Sequence, residues 1–192
     1  MPGFTIGLKY QDPLRLSIGS PDGSPADARV FVTADPRLTT TELTIRAERQ
    51  EDLARAKLAP GRLEYPSLDV HVHSASPWAG ESTRDDLTVA VRIPPFSSVQ
   101  VALRDAHVDL VGELDHLDIH THAGTVTTSH AFRTGNVRSH RGDLTFATVP
   151  GSLSAHTDRG QLTVHGVTAT PSSKPPRAGS PLRTPTPPSG CA

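Results

Sequence analysis

Apolar and polar residues alternate along most of this chain, and from Val99 to Thr170 the pattern repeats every eighteen residues. Four blocks stack without gaps: VQVALRDAHVDLVGELDH, LDIHTHAGTVTTSHAFRT, GNVRSHRGDLTFATVPGS and LSAHTDRGQLTVHGVTAT. The third column reads Val101, Ile119, Val137, Ala155, and the tenth reads Val108, Val126, Leu144, Leu162. Alternation with period two marks a half-buried strand, because successive side chains point to opposite faces. Each block therefore predicts two short strands separated by a turn at columns six to eight. Gly124, Gly142 and Gly160 fill the eighth column and are the predicted structural turn residues, since a tight bend often needs positive φ. Ala106 takes that column in the first block, which predicts a different turn there.

A fixed period of this size makes each block one unit stacked on the next. Identical columns one period apart favour parallel stacking, with equivalent strands about 4.8 Å apart. The predicted architecture is an all-β parallel β-solenoid of 18-residue coils with a narrow apolar interior. Thr121, Ser139 and Thr157 share the fifth column and are expected inside as a hydroxyl ladder. An up-and-down antiparallel sheet also fits short, evenly spaced strands, but its hairpins do not require identical columns.

Upstream the alternation persists without the eighteen-residue register. Strand runs appear in FTIGLKY, LRLSIG, ARVFVTA, TELTIRA, RLEYP, SLDVHVHS and LTVAVRIP, with SPDGSP, APGR and SPWAG as turns. RQEDLARAKLA fits either a short helix, its acids preceding its bases, or a strand with its flanking loop. The prolines of IPPFSS cannot donate to a ladder, so that segment is a connection or an edge. Residues 1–98 are accordingly expected to form an irregular N-terminal β region that starts or caps the solenoid, and 99–170 its repeats. Residues 171–192, with seven prolines and few bulky apolar groups, are expected to be a disordered tail.

Apolar content is 35% and aromatic content 4%, lean for an enzyme and adequate for a thin Val/Leu/Ile core. The net charge of −1 is uneven: the last 22 residues carry three bases and no acid, leaving sixteen bases against twenty acids before them. A weakly acidic body argues against nucleic acid as partner, because phosphate binding needs a basic face. The single cysteine, Cys191, permits no internal disulfide and no paired-cysteine metal site. No stretch approaches the roughly 20 apolar residues of a membrane helix, so no membrane insertion is expected. The first residues lack a basic segment followed by an apolar run, which reads as no secretory signal and a cytoplasmic chain.

The stretches VAVRIPPFSSVQVAL, LDIHTHAGTVTT, NVRSHRGDLTF and LSAHTDRGQLTV resemble the bacterial putative-adhesin family, a domain of unknown function. The resemblance covers about residues 85–170. The family's usual Ser-Gly-Asp turn reads here Ala-Gly-Thr, Arg-Gly-Asp and Arg-Gly-Gln. It implies an all-β right-handed solenoid and carries over no catalytic residues.

Ten histidines is a high count, and two pairs, His71 with His73 and His120 with His122, have spacing that puts both rings on one strand face. The repeat sets His122 one coil from His140, and His120 two coils from His156 with Arg138 between. Such imidazoles are weak candidates for a Zn²⁺, Ni²⁺ or Cu²⁺ site. No acid or cysteine completes a closed site, so no metal and no cofactor is expected. Arg141-Gly142-Asp143 spells an integrin-type tripeptide, but Gly142 is the repeat's turn glycine. There is no G-x-S-x-G, H-E-x-x-H or phosphate loop, and Asp109, Asp118 and His120 form no defined constellation. The expected function is a non-catalytic binding or scaffold module, acting on an unknown protein partner or by self-association. The alternatives are a filament-forming protein and a polysaccharide-active β-helix enzyme.

Overall fold

Alternating Val, Ile, Leu and Thr favour extended chain, because branched side chains pack well on a pleated surface with one buried face. The computed structural model describes residues 1–166 except 11, 21–25, 39, 61–65, 74–86, 131 and 150. The described residues form thirteen strands: β1 (Gly3–Leu8), β2 (Arg15–Gly19), β3 (Asp27–Ala34), β4 (Thr41–Ala47), β5 (Ala56–Pro60), β6 (Ser67–Val72), β7 (Leu87–Ile93), β8 (Ser97–Val111), β9 (Leu114–Thr128), β10 (Phe132–Arg141), β11 (Leu144–Phe146), β12 (Ser152–Arg159) and β13 (Leu162–Val164). One helical turn, α1 (Gln50–Leu53), interrupts them.

All thirteen strands join one open sheet of mixed direction, made of two runs that share the long strands β8 and β9. One run passes through β5, β6, β2, the first halves of β8 and β9, then β10 and β12. The other passes through β1, β4, β7, β3, the second halves of β8 and β9, then β11 and β13. From β8 onward every described pair is parallel. Val99 pairs with Leu117, Leu117 with Gly135 and Gly135 with Leu153, steps of eighteen residues. The antiparallel pairs are β1–β4, β4–β7 and β5–β6, all toward the N-terminal edges.

Both runs bury their alternate residues in one hydrophobic cluster. The phase of burial shows how. In β8, Val99, Val101 and Leu103 point inward; the next inward residue is Ala106, three positions on, followed by Val108 and Leu110. The same three-residue step separates Thr121 from Gly124 in β9. An odd step inside a period-two pattern reverses the pleat, so the strand turns a corner and both halves face the same interior. The fifth-column hydroxyls do lie on the inner side. Thr121 donates to Ser139 at 3.2 Å, while Thr157 turns instead to the Gly142 carbonyl at 3.1 Å.

Three features differ from the expectation drawn from sequence. β8 and β9 each run fifteen residues through the corner, because the bend is shared and the ladder continues from Asp105–Ala123 to Ala106–Gly124. β2 and β3 pair in parallel directly onto β8, so the ladder extends beyond the repeated blocks. RQEDLARAKLA contains both of its alternatives, helix over Gln50–Leu53 and strand from Ala56. Most of RLEYP, all of SPWAG and everything after Gly166, including the proline-rich tail and Cys191, lie outside the described residues.

A buried ion pair fixes α1 to the sheet. Asp52 and Arg55 meet at 3.4 Å with both side chains 7% exposed. Arg55 also donates to the carbonyls of His73 at 3.1 Å and Asp27 at 3.2 Å, tying both runs together. Asp52→Ala leaves a buried guanidinium without its carboxylate. Because two carbonyl acceptors remain, the expected loss is about 2 to 3 kcal/mol. A urea titration checks this, and an unchanged midpoint refutes it.

Candidate functional site

The outward residues of β9, β10 and β12 stand in straight rows because the register is eighteen everywhere in this part of the sheet. They form a grid three residues wide and three strands deep. Its rows are Asp118, His120, His122; Asn136, Arg138, His140; and Ser154, His156, Asp158. All four histidine candidates are therefore brought to one face, with Arg138 at the centre, paired in register with His120 on one side and His156 on the other. Thr121, between His120 and His122, is 8% exposed, so its two neighbours point outward as the alternation requires.

The grid is hydrogen-bonded through its acids. Asp118 Oδ1 meets His120 Nε2 at 3.1 Å and accepts from Asn136 Nδ2 at 2.9 Å. Asp158 bridges two imidazoles, His140 Nδ1 at 2.6 Å and His156 Nε2 at 2.7 Å. Those two hydrogen bonds hold the Asp158 carboxyl below the ordinary carboxylate range. His122 stacks on His140, ring centroids 4.7 Å apart and planes 21° from parallel. Six of the nine, His120, His122, Arg138, His140, His156 and Asp158, line an open groove of about 640 Å³ together with Leu103 and Arg104. Arg104 is itself held by Asp27 at 3.4 Å and Asp105 at 3.2 Å. Burial pushes the Asp27 carboxyl up, against the pull of Arg104.

Among the described residues no three His, Cys, Asp or Glu side chains converge as a metal site. The rows spread the imidazoles along the face instead of pointing them at one centre. Asp109 lies in the other run, paired with Phe31 and Thr127, so it does not join Asp118 and His120. In the Arg-Gly-Asp tripeptide, Gly142 sits under the Gly124 carbonyl, and Asp143 Oδ1 accepts the Gln161 N–H at 2.8 Å. That aspartate serves the corner.

Two residues escaped the sequence reading. Ser97 is fully buried; its hydroxyl donates to the Pro94 carbonyl at 2.7 Å and accepts the Leu14 N–H at 3.1 Å, locking the entry to β8. Beside it Phe96 has φ 59° and is 58% exposed. A bulky residue at positive φ is strained. The two prolines before it were the only local signal. Asp158 as a bridge between histidines was legible only once the eighteen-residue register was applied across two blocks.

No family model and no curated protein matches the chain. No described helix is long and apolar enough to cross a membrane. Solved structures do match. A putative cell adhesion protein from Clostridium sporogenes aligns with a TM-score of 0.65 at 5% identity, over 86% of this chain and 99% of that one. A putative adhesin from Parabacteroides distasonis aligns with a TM-score of 0.52 at 9% identity, over 86% of this chain and 66% of that one. At these identities the likeness is one of fold: this all-β chain is built like those two proteins.

Proposed function

We propose that this chain is a right-handed β-solenoid of 18-residue coils serving as a non-catalytic binding or scaffold module of the adhesin type. Residues 1–98 form its start and 99–170 its repeats. The observation that carries the proposal is the constant eighteen-residue register, which lines up outward side chains in rows on one face. Repeat stacks of this kind present extended binding surfaces. The adhesion names of the two solved neighbours point the same way. The test is immobilised full-length chain probed with glycan and protein arrays, alongside a turnover assay on acidic and neutral glycans. Saturable binding without turnover is expected. Glycan cleavage above background refutes the non-catalytic part, and absence of any ligand refutes the binding part.

A specific observation favours self-association as a second reading. β12 and β13 each have one described partner strand, and Leu162 and Val164 are 46% and 39% exposed, whereas their register partners Leu144 and Phe146 are fully buried. Unpaired strand edges template pairing with another chain. Light scattering on a sizing column over a wide concentration range decides it. Growth into elongated species is the outcome self-association requires, and a monomer throughout eliminates it.

A further inference from the structure

We propose that the nine-residue grid on β9, β10 and β12 is a binding site for a linear acidic polysaccharide, engaged when its histidines carry protons. This rests on the reading that the outer faces bind ligands. One arginine against two aspartates leaves the grid at −1 with neutral imidazoles; four imidazolium groups take it to +3. Histidine is the side chain whose charge changes between about pH 5 and 8. Protonation of the four imidazoles therefore reverses the sign of the face.

Both aspartates are already bonded inside the grid, Asp118 to His120 and Asn136, Asp158 to His140 and His156. Arg138, in the middle, has no carboxylate partner among the described residues. An incoming anion meets Arg138 and imidazole edges. The surrounding carboxylates Asp27 and Asp105 are engaged by Arg104 from the β8 side, and Asp115 by Arg133 at 2.6 Å. Gln100 and Ala102 on β8 are neutral, and Arg141 and Arg159 adjoin in register at the corner.

His122 and His140 are stacked at one end of the grid. Two imidazolium rings with centroids 4.7 Å apart repel each other. A carboxylate seated over the pair relieves that repulsion, so protonation and anion binding reinforce one another. Rows roughly 4.8 Å apart set Arg138 and the imidazoles in a line along which an extended polyanion can lie. The grid holds no Phe, Tyr or Trp on which nucleic acid bases would stack.

The experiment titrates the full chain with polygalacturonate by calorimetry, in low salt, at about pH 5.5 and about pH 7.5. The expected result is binding about tenfold tighter at the lower pH, with proton uptake. Arg138→Gln should weaken binding about tenfold at both pH values. His120→Gln combined with His156→Gln should reduce the pH dependence, leaving the share carried by His122 and His140; both positions are exposed, so the melting temperature should hold. Asp158→Asn should tighten binding at the higher pH, where a merely structural role would loosen it. Equal affinity at the two pH values, indifference to Arg138→Gln, or stronger binding of neutral dextran or single-stranded DNA would each overturn the proposal. If another glycan or a protein then binds with affinity independent of Arg138, the binding module stands and only this site falls. If nothing binds at all, both fall.

Discussion

Replacing Gly142 with valine is expected to prevent the chain from folding. Gly142 has φ 147°, a backbone conformation that L side chains rarely adopt. It also lies directly against the row before it: a Cβ at Gly142 would overlap the Gly124 carbonyl oxygen. The neighbouring row blocks retreat, because the Gly142 N–H donates to the Arg159 carbonyl at 2.9 Å. Strained φ alone costs about 1–3 kcal/mol. The backbone overlap adds more, and moving it means breaking parallel ladder bonds on both sides. Even Gly142→Ala should therefore lose more than about 4 kcal/mol. Gly7→Ala is the control, since its added methyl meets nothing nearer than 3.7 Å; it should stay within about 0.5 kcal/mol. Soluble yield and thermal unfolding followed by circular dichroism provide the readout. A Gly142→Val protein that melts within a few degrees of the wild type would show that the corner column does not need glycine.

The second large effect is expected at Phe146. Its side chain is fully buried between Thr128 and Val164 in register, and its ring meets Phe132 edge-on with centroids 6.1 Å apart. Phe146→Ala removes a buried ring and leaves a cavity, which costs about 3–5 kcal/mol. The lost edge-to-face contact is part of that, about 0.5–1.5 kcal/mol. Against a usual total stability of about 5–15 kcal/mol this is a large share. Phe146→Leu keeps most of the volume and should lose about 1 kcal/mol. Urea unfolding should show the midpoint falling with its slope unchanged. A loss below about 1 kcal/mol for the alanine variant would mean that the last rows open separately from the rest of the sheet.

Much of this was legible in the chain. The alternation of Val99, Val101 and Leu103, the glycine column and the eighteen-residue spacing predicted strands, parallel partners and register for β8 to β13. Those signals are local or strictly periodic, so they survive without knowledge of the rest of the molecule. The glycine column was clear for a physical reason: each of its carbonyls sits where the next glycine's side chain would be. The outward orientation of His120 and His122 followed from Thr121 between them. Less was visible upstream. That β2 and β3 would dock in parallel on β8 while β1, β4 and β7 pair antiparallel depends on contacts between segments far apart in sequence, with no repeat to mark the register.

By itself, then, the sequence determined that strands form, how long a row is and which side chains face out, because pleat and period fix these locally. The tertiary structure decided what the outward groups do to one another. Asp158 reaches His140 across one row and His156 along its own strand, His122 stacks on His140, and Arg55 gathers Asp52, His73 and Asp27 from three separate segments. Side-chain rotamers and long-range docking set these contacts, and neither is written in a one-dimensional pattern of apolar and polar residues.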